Sequence, residues 1–142
     1  MNLNEYFKRI KKYKNCIIVI SGKDESAKYI NNFVMKENLH LNCKMGNRDS
    51  YVALIDFRRE FVYEKNSQQR IACSYQVDEK FIDIISEGYN CGNKSSIKVG
   101  FNEYSLNRRG VNIAIFNAKT LTLIDKFAVD SHGDETLTLI KK

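Results

Sequence analysis

Cys16-Ile17-Ile18-Val19-Ile20 is the segment that most restricts what this chain can fold into. Side chains of a strand alternate between its two sides, and here both sides are apolar and largely β-branched, so the strand must be covered on both. Five apolar residues are too few to span a bilayer as a helix. With 142 residues, 43% hydrophobic and 28% charged, the chain can bury one core of ordinary domain size. The expectation is one compact domain, residues 1–142, built around this strand.

The flanking segments carry a different period. Leu3, Tyr6, Phe7 and Ile10 fall at helical spacing and predict an amphipathic helix over residues 1–13 with a basic outer face. Ser21-Gly22 reads as the end of the central strand. Ala27, Ile30, Phe33 and Val34 predict a second helix over residues 24–37, with Asp24 and Glu25 in its first turn, where the helix dipole favours acid. Leu41, Cys43 and Met45 then alternate with polar residues, Gly46-Asn47 turns, and Tyr51-Val52-Ala53-Leu54-Ile55 reads as another buried strand. Residues 57–63 read as its partner strand and 64–70 as a polar loop. Further strands are expected over 81–85, 97–101, 111–116 and 121–129, the last two forming a hairpin through Asn117-Ala118-Lys119-Thr120. The predicted class is α/β (α+β), a mixed central sheet with helices packed on it.

Charge and motifs exclude more than they select. Lys and Arg number 23 against 17 Asp and Glu, a formal +6 that suits polyanion contact or plain solubility. Lys8, Arg9, Lys11, Lys12 and Lys14 occupy the place where a secretory signal needs its apolar run, so a cytoplasmic protein is expected, with no membrane partner. Cys16, Cys43, Cys73 and Cys91 form no C-x-x-C pair, and neither a zinc site nor a disulfide framework is expected. His40 and His132 are the only histidines, and no P-loop, G-x-G-x-x-G or G-x-S-x-G is present, so no enzyme, cofactor or metal is expected. The basic stretch 8–14, with Tyr6, Phe7 and Tyr13 nearby, suits phosphates and bases on paper, but the aromatics fall at core spacing and no RNP, KH or helix-turn-helix signature accompanies them. Abundant Asn and Lys with few Ala point to an AT-rich, bacterial genome.

Three phrases belong together: Gly22-Lys23-Asp24-Glu25 after a buried strand, Asn47-Arg48-Asp49-Ser50-Tyr51 before another, and Arg108-Arg109-Gly110-Val111-Asn112-Ile113-Ala114 opening the hairpin. As a set they resemble the interleukin-like EMT-inducer (ILEI/PANDER) domain family, in circularly permuted order. In that family the hairpin precedes the first helix, whereas here it lies near the end of the chain. Residues 2–10 and 134–140 both resemble the same family helix. The resemblance therefore implies neighbouring termini and a displaced C-terminal segment that frays, adds as a strand or docks on another chain as a weak homodimer. Secreted members place a cysteine where Ile85 stands, so their disulfide is absent here, in keeping with a reducing compartment.

The family includes lectin-like secreted proteins and a sugar-binding stem domain of a glycosyltransferase, and no catalysis belongs to the domain itself. The acidic residue of its K-D-E turn and the arginine of its R-D-T-W phrase hold the sugar, at positions matching Asp24 and Arg48. The resemblance thus implies a non-catalytic glycan-binding module, accessory to glycosyl transfer or polysaccharide assembly, with Lys23, Asp24, Arg48, Asn47 and Tyr51 at the site. Asn47 and Tyr51 stand where the family has tryptophan. Bare residue chemistry leaves plainer roles open: Asp24 as a helix cap, Arg48 as a local ion pair with Asp49, Arg108-Arg109 as a solubilising turn. The competing functions are a protein-interaction module working through a sheet edge and, third, nucleic-acid binding through the basic N-terminal segment.

Overall fold

The computed structural model describes residues 15–24, 41, 46 and 48–129, together with the backbone of 139–140. The described chain is nearly all β: strands joined in one mixed sheet, with a single 3₁₀ turn and, among the described residues, no α-helix. The α/β class with helices packed on the sheet is corrected accordingly. The helix expected over 1–13, the helix expected over 24–37 apart from Asp24, and the alternating strand of 39–45 lie outside the described residues, Leu41 excepted, which is buried.

The central strand β1 (Cys16–Asp24) is flanked on both edges. Along one edge it pairs antiparallel with β8 (Gly110–Asn117), from Cys16 opposite Asn117 to Lys23 opposite Gly110. Its other edge pairs antiparallel with β2 (Ser50–Asp56), but only over Ile17–Ser21. Beyond Ser21 that edge changes partner, and Lys23 and Asp24 run parallel to Glu87 and Gly88 of β5 (Lys80–Gly88). Two wings result. β3 (Phe61–Ser67) extends the first beyond β2, while β9 (Leu123–Val129) and then β10 (Leu139–Ile140) extend it beyond β8. In the second wing, β5 lies between β4 (Ile71–Val77) and β6 (Lys94–Val99), with β7 (Asn102–Glu103) outside β6.

The core is what lies between the wings. Ile17 and Val19 of β1 share a face with Val52 and Leu54 of β2 and with Ala114 and Phe116 of β8, and they pack on Ile71, Val77, Ile82, Ile84 and Ile97 of the second wing. The opposite face of the first wing carries Ile18, Ile20, Ala53, Ile55, Ile113 and Ile115, all buried, as the two-faced apolar pattern of β1 requires. Each isoleucine, valine, leucine or phenylalanine among them, removed from water, contributes about 1.5–3 kcal/mol.

Where β1 changes partner, the hydrogen-bond ladder opens, and serine hydroxyls fill the gap. Gly22 and Tyr51 would be the next antiparallel pair, yet the Tyr51 N–H donates to Ser86 Oγ at 2.8 Å, and Ser86 Oγ donates to the Gly22 carbonyl at 2.7 Å. One side chain thus replaces a backbone bond, because a hydroxyl both accepts and donates. Ser50 Oγ likewise accepts the Gly88 N–H at 3.0 Å, and Ser21 Oγ donates to the Ile85 carbonyl at 2.7 Å. Ser21, Ser50 and Ser86 are fully buried, so each unmade bond would carry the desolvation cost of an orphaned polar group. Ser86→Ala should therefore destabilise the fold by about 1–3 kcal/mol in urea melts, whereas Ser74→Ala on the exposed side of β4 should stay within about 0.5 kcal/mol. Equal, small effects of both would show that the serine is not needed at the junction.

Candidate functional site

The same junction brings the sequence-predicted residues together. Asp24 is the last residue of β1, with φ 61° and a half-buried side chain, and its Cα partner is Gly88. It ends a strand, which corrects its placement in the first turn of a helix: Ser21 and Gly22 continue the strand because their small side chains admit β5 alongside. Arg48, exposed and with φ 62°, packs its backbone carbonyl against Gly88 from the other side. A Cβ on Gly88 would fall inside the contact distance of that carbonyl oxygen and 3.1 Å from the Asp49 carbonyl carbon. Asp24 and Arg48 thus both border Gly88, and only glycine fits there.

Neighbouring groups hold this geometry. The Asp49 side chain accepts the Gly46 N–H at 2.8 Å and Asn66 Nδ2 at 3.0 Å, so its carboxylate secures the turn that carries Arg48. Lys23 Nζ donates to the Asn107 carbonyl at 2.9 Å, tying β1 to the segment before β8. The 3₁₀ turn Tyr89–Cys91 leaves β5 directly after Gly88 and is pinned by Cys91 Sγ, 3.3 Å from Ser50 Oγ. It presents Tyr89, 51% exposed, whose ring lies under the Arg48 guanidinium with 4.2 Å from Cζ to the ring centroid. A cation over an aromatic face is held by the ring quadrupole.

Two expected site residues fare differently. Tyr51 is fully buried and its hydroxyl donates to Glu64, so it offers no stacking face, which corrects its place in the ligand site. Asn47 lies outside the described residues. Tyr89 supplies the aromatic surface that Tyr51 does not, and its signal in the sequence is a tyrosine closely flanked by Gly88 and Gly92, a turn that exposes what it carries.

No protein-family model, curated protein or solved structure matches this chain. The chemistry of the site is therefore read from its own residues.

The remaining reactive groups point to structural roles. Burial, with the Asp56 charge second, pushes the Cys16 thiol up to about 11, and burial raises Cys73 as well, so both stay protonated at neutral pH. Asp56, fully buried, accepts the Arg58 and Arg59 N–H groups at 3.0 and 3.1 Å, Arg59 Nη1 at 2.9 Å and the Tyr75 hydroxyl at 2.7 Å. That clamp fixes the β2–β3 turn. Among the described residues no group of three His, Cys, Asp or Glu is placed to hold a metal, and no helix is long and apolar enough to cross a membrane. His40 and His132 lie outside the described residues.

Two outcomes follow. Gly88→Ala should cost about 1–3 kcal/mol of stability, as overpacking does, because the Arg48 backbone must move; unchanged urea melts would contradict the close approach. Tyr75 is raised to about 12, by burial first and then by its bond to Asp56. A raised phenol contributes stability in full below its ordinary value of 10 and loses it as pH climbs towards 12. The stability–pH curve should fall over that interval, and Tyr75→Phe should remove this component of the fall; an unaltered curve would place the titration elsewhere.

Proposed function

We propose that this domain is a non-catalytic carbohydrate-binding module whose site is formed by Asp24, Arg48 and Tyr89. The observation that carries the reading is the stacking of Arg48 on the exposed Tyr89 ring beside the Gly88 contact that also holds Asp24. A carboxylate accepts from two neighbouring hydroxyls, a guanidinium donates in a planar fork to hydroxyl and ring oxygens, and an aromatic ring face packs on the apolar C–H face of a sugar. The resemblance to the ILEI/PANDER domains supports the same pair, since Asp24 and Arg48 stand at the positions of that family's sugar-holding residues. It also supports a role accessory to glycosyl transfer or polysaccharide assembly.

Bonds from sugar hydroxyls to charged groups contribute about 1.5–3 kcal/mol each, and ordering the ligand offsets much of that. Millimolar affinity for a single sugar, about −4 kcal/mol, is the expected strength. A glycan array identifies the ligand, and NMR titration measures it. Asp24→Asn, which keeps a side chain that tolerates the left-handed backbone, and Arg48→Lys should each weaken binding at least tenfold without lowering Tm. Unchanged affinity in both variants would remove these residues from the site.

A further inference from the structure

We propose that the ligand is an acidic glycan, a polymer carrying carboxylates such as a polyuronate. The inference rests on the carbohydrate-binding reading and names its substrate class.

Among the described residues, charge is distributed unevenly along the strands. Lys23, Arg48, Arg70, Lys94, Arg108 and Arg109 all gather at the end of the sheet where β1 meets β5. The register places each of them. Lys23 is opposite both Glu87 and Gly110, so Arg108 and Arg109 enter β8 beside it. Lys94 is opposite Glu87, and Arg70 Nε lies 4.0 Å from the Glu87 carboxylate. Arg48 touches Gly88, the residue after Glu87. All but Lys23 are exposed.

Among the described residues, the carboxylates at this end are Asp24, Glu87 and Asp49. Asp49 is buried and bonded to Gly46 and Asn66, and Glu87 is paired with Arg70. At the far end the described charges balance: Arg58, Arg59, Lys80 and Lys119 against Asp56, Glu60, Asp78 and Glu79. Among the described residues the excess positive charge therefore lies at the site. Its field raises the local concentration of an extended anion and weakens with salt.

Asp24 sets what the ligand carries besides its acid groups. A carboxylate accepts sugar hydroxyls, while the basic residues around it attract acid groups spaced along the same polymer, so the favoured ligand carries both.

The test compares oligogalacturonate, a neutral oligogalactose of equal length and single-stranded DNA, each titrated against the full chain at 50 and 300 mM NaCl. The acidic sugar should bind at least tenfold tighter than the neutral one at low salt, and the advantage should shrink several-fold at high salt. The Arg70→Gln/Arg108→Gln double variant should bring the ratio towards one, while Arg58→Gln/Lys119→Gln at the balanced end should leave it intact. Equal binding of the two sugars would overturn the acidic preference and leave the carbohydrate reading standing. Tighter binding of DNA than of either sugar, strengthened further by Asp24→Asn, would overturn the proposal in favour of nucleic acid. Binding of neither these sugars nor any glycan on an array would overturn both readings.

Discussion

The hydroxyl of Ser86, set between the Tyr51 N–H and the Gly22 carbonyl, is the contact on which the architecture turns. A strand has two edges, and β1 uses one of them for two partners in succession. That handover leaves a backbone donor and a backbone acceptor facing each other across a gap too wide for a direct bond. Burying them unmet would be costly. A serine on the incoming strand meets both needs with one oxygen, and Ser50 and Ser21 repeat the solution on either side. Larger side chains at these positions would hold β5 away from β1, and apolar ones of the same size would leave the ladder open.

The candidate site is a consequence of that junction. The bond from the Gly88 N–H to Ser50 Oγ and the packing of Gly88 against the Arg48 carbonyl fix two chain segments far apart in sequence. Asp24 joins them because β1 continues past its last bond to β2. Both Asp24 and Arg48 adopt left-handed backbone conformations, uncommon for residues with a Cβ, and both lie where the chain leaves or enters a strand beside Gly88. Strain of this kind persists where surrounding bonds over-determine it, as the Asp49 side chain does for the Arg48 turn.

Much of this was written in side-chain alternation, and its limits are equally physical. Residues 16–20 and 51–55 are apolar on both faces and form the buried strands β1 and β2. The hairpin through Asn117–Thr120 joins β8 to β9 as its turn residues indicate. The end of β1 was misread because Ser21-Gly22 has turn composition; small residues also allow close sheet approach, and nothing local separates the two uses. β3 begins at Phe61 and runs through Ser67, where polarity reads as loop, since an edge strand with a half-exposed face needs no apolar run. β4 was legible and passed over: Ile71, Cys73, Tyr75 and Val77 alternate with Ala72, Ser74 and Gln76. At the candidate site, the resemblance nominates Asp24 and Arg48, and both border Gly88. Tyr51 could have been set aside on pattern, because it heads a run buried on both faces. Tyr89 needed the fold, since only the contact of Gly88 with Ser50 and the Arg48 carbonyl brings its turn beneath Arg48.

The central claim, that serine hydroxyls complete the ladder and hold the two wings as one unit, is tested most directly by native-state hydrogen exchange. The Tyr51 and Gly88 amides donate to serine oxygens at the junction, whereas the Gln69 amide donates to Ser67 Oγ in an exposed loop. If the junction opens only when the sheet unfolds, the Tyr51 and Gly88 amides exchange with a free energy within about 1 kcal/mol of the Val19 amide in the middle of β1. If they exchange as readily as the Gln69 amide, the wings separate locally and the account is wrong.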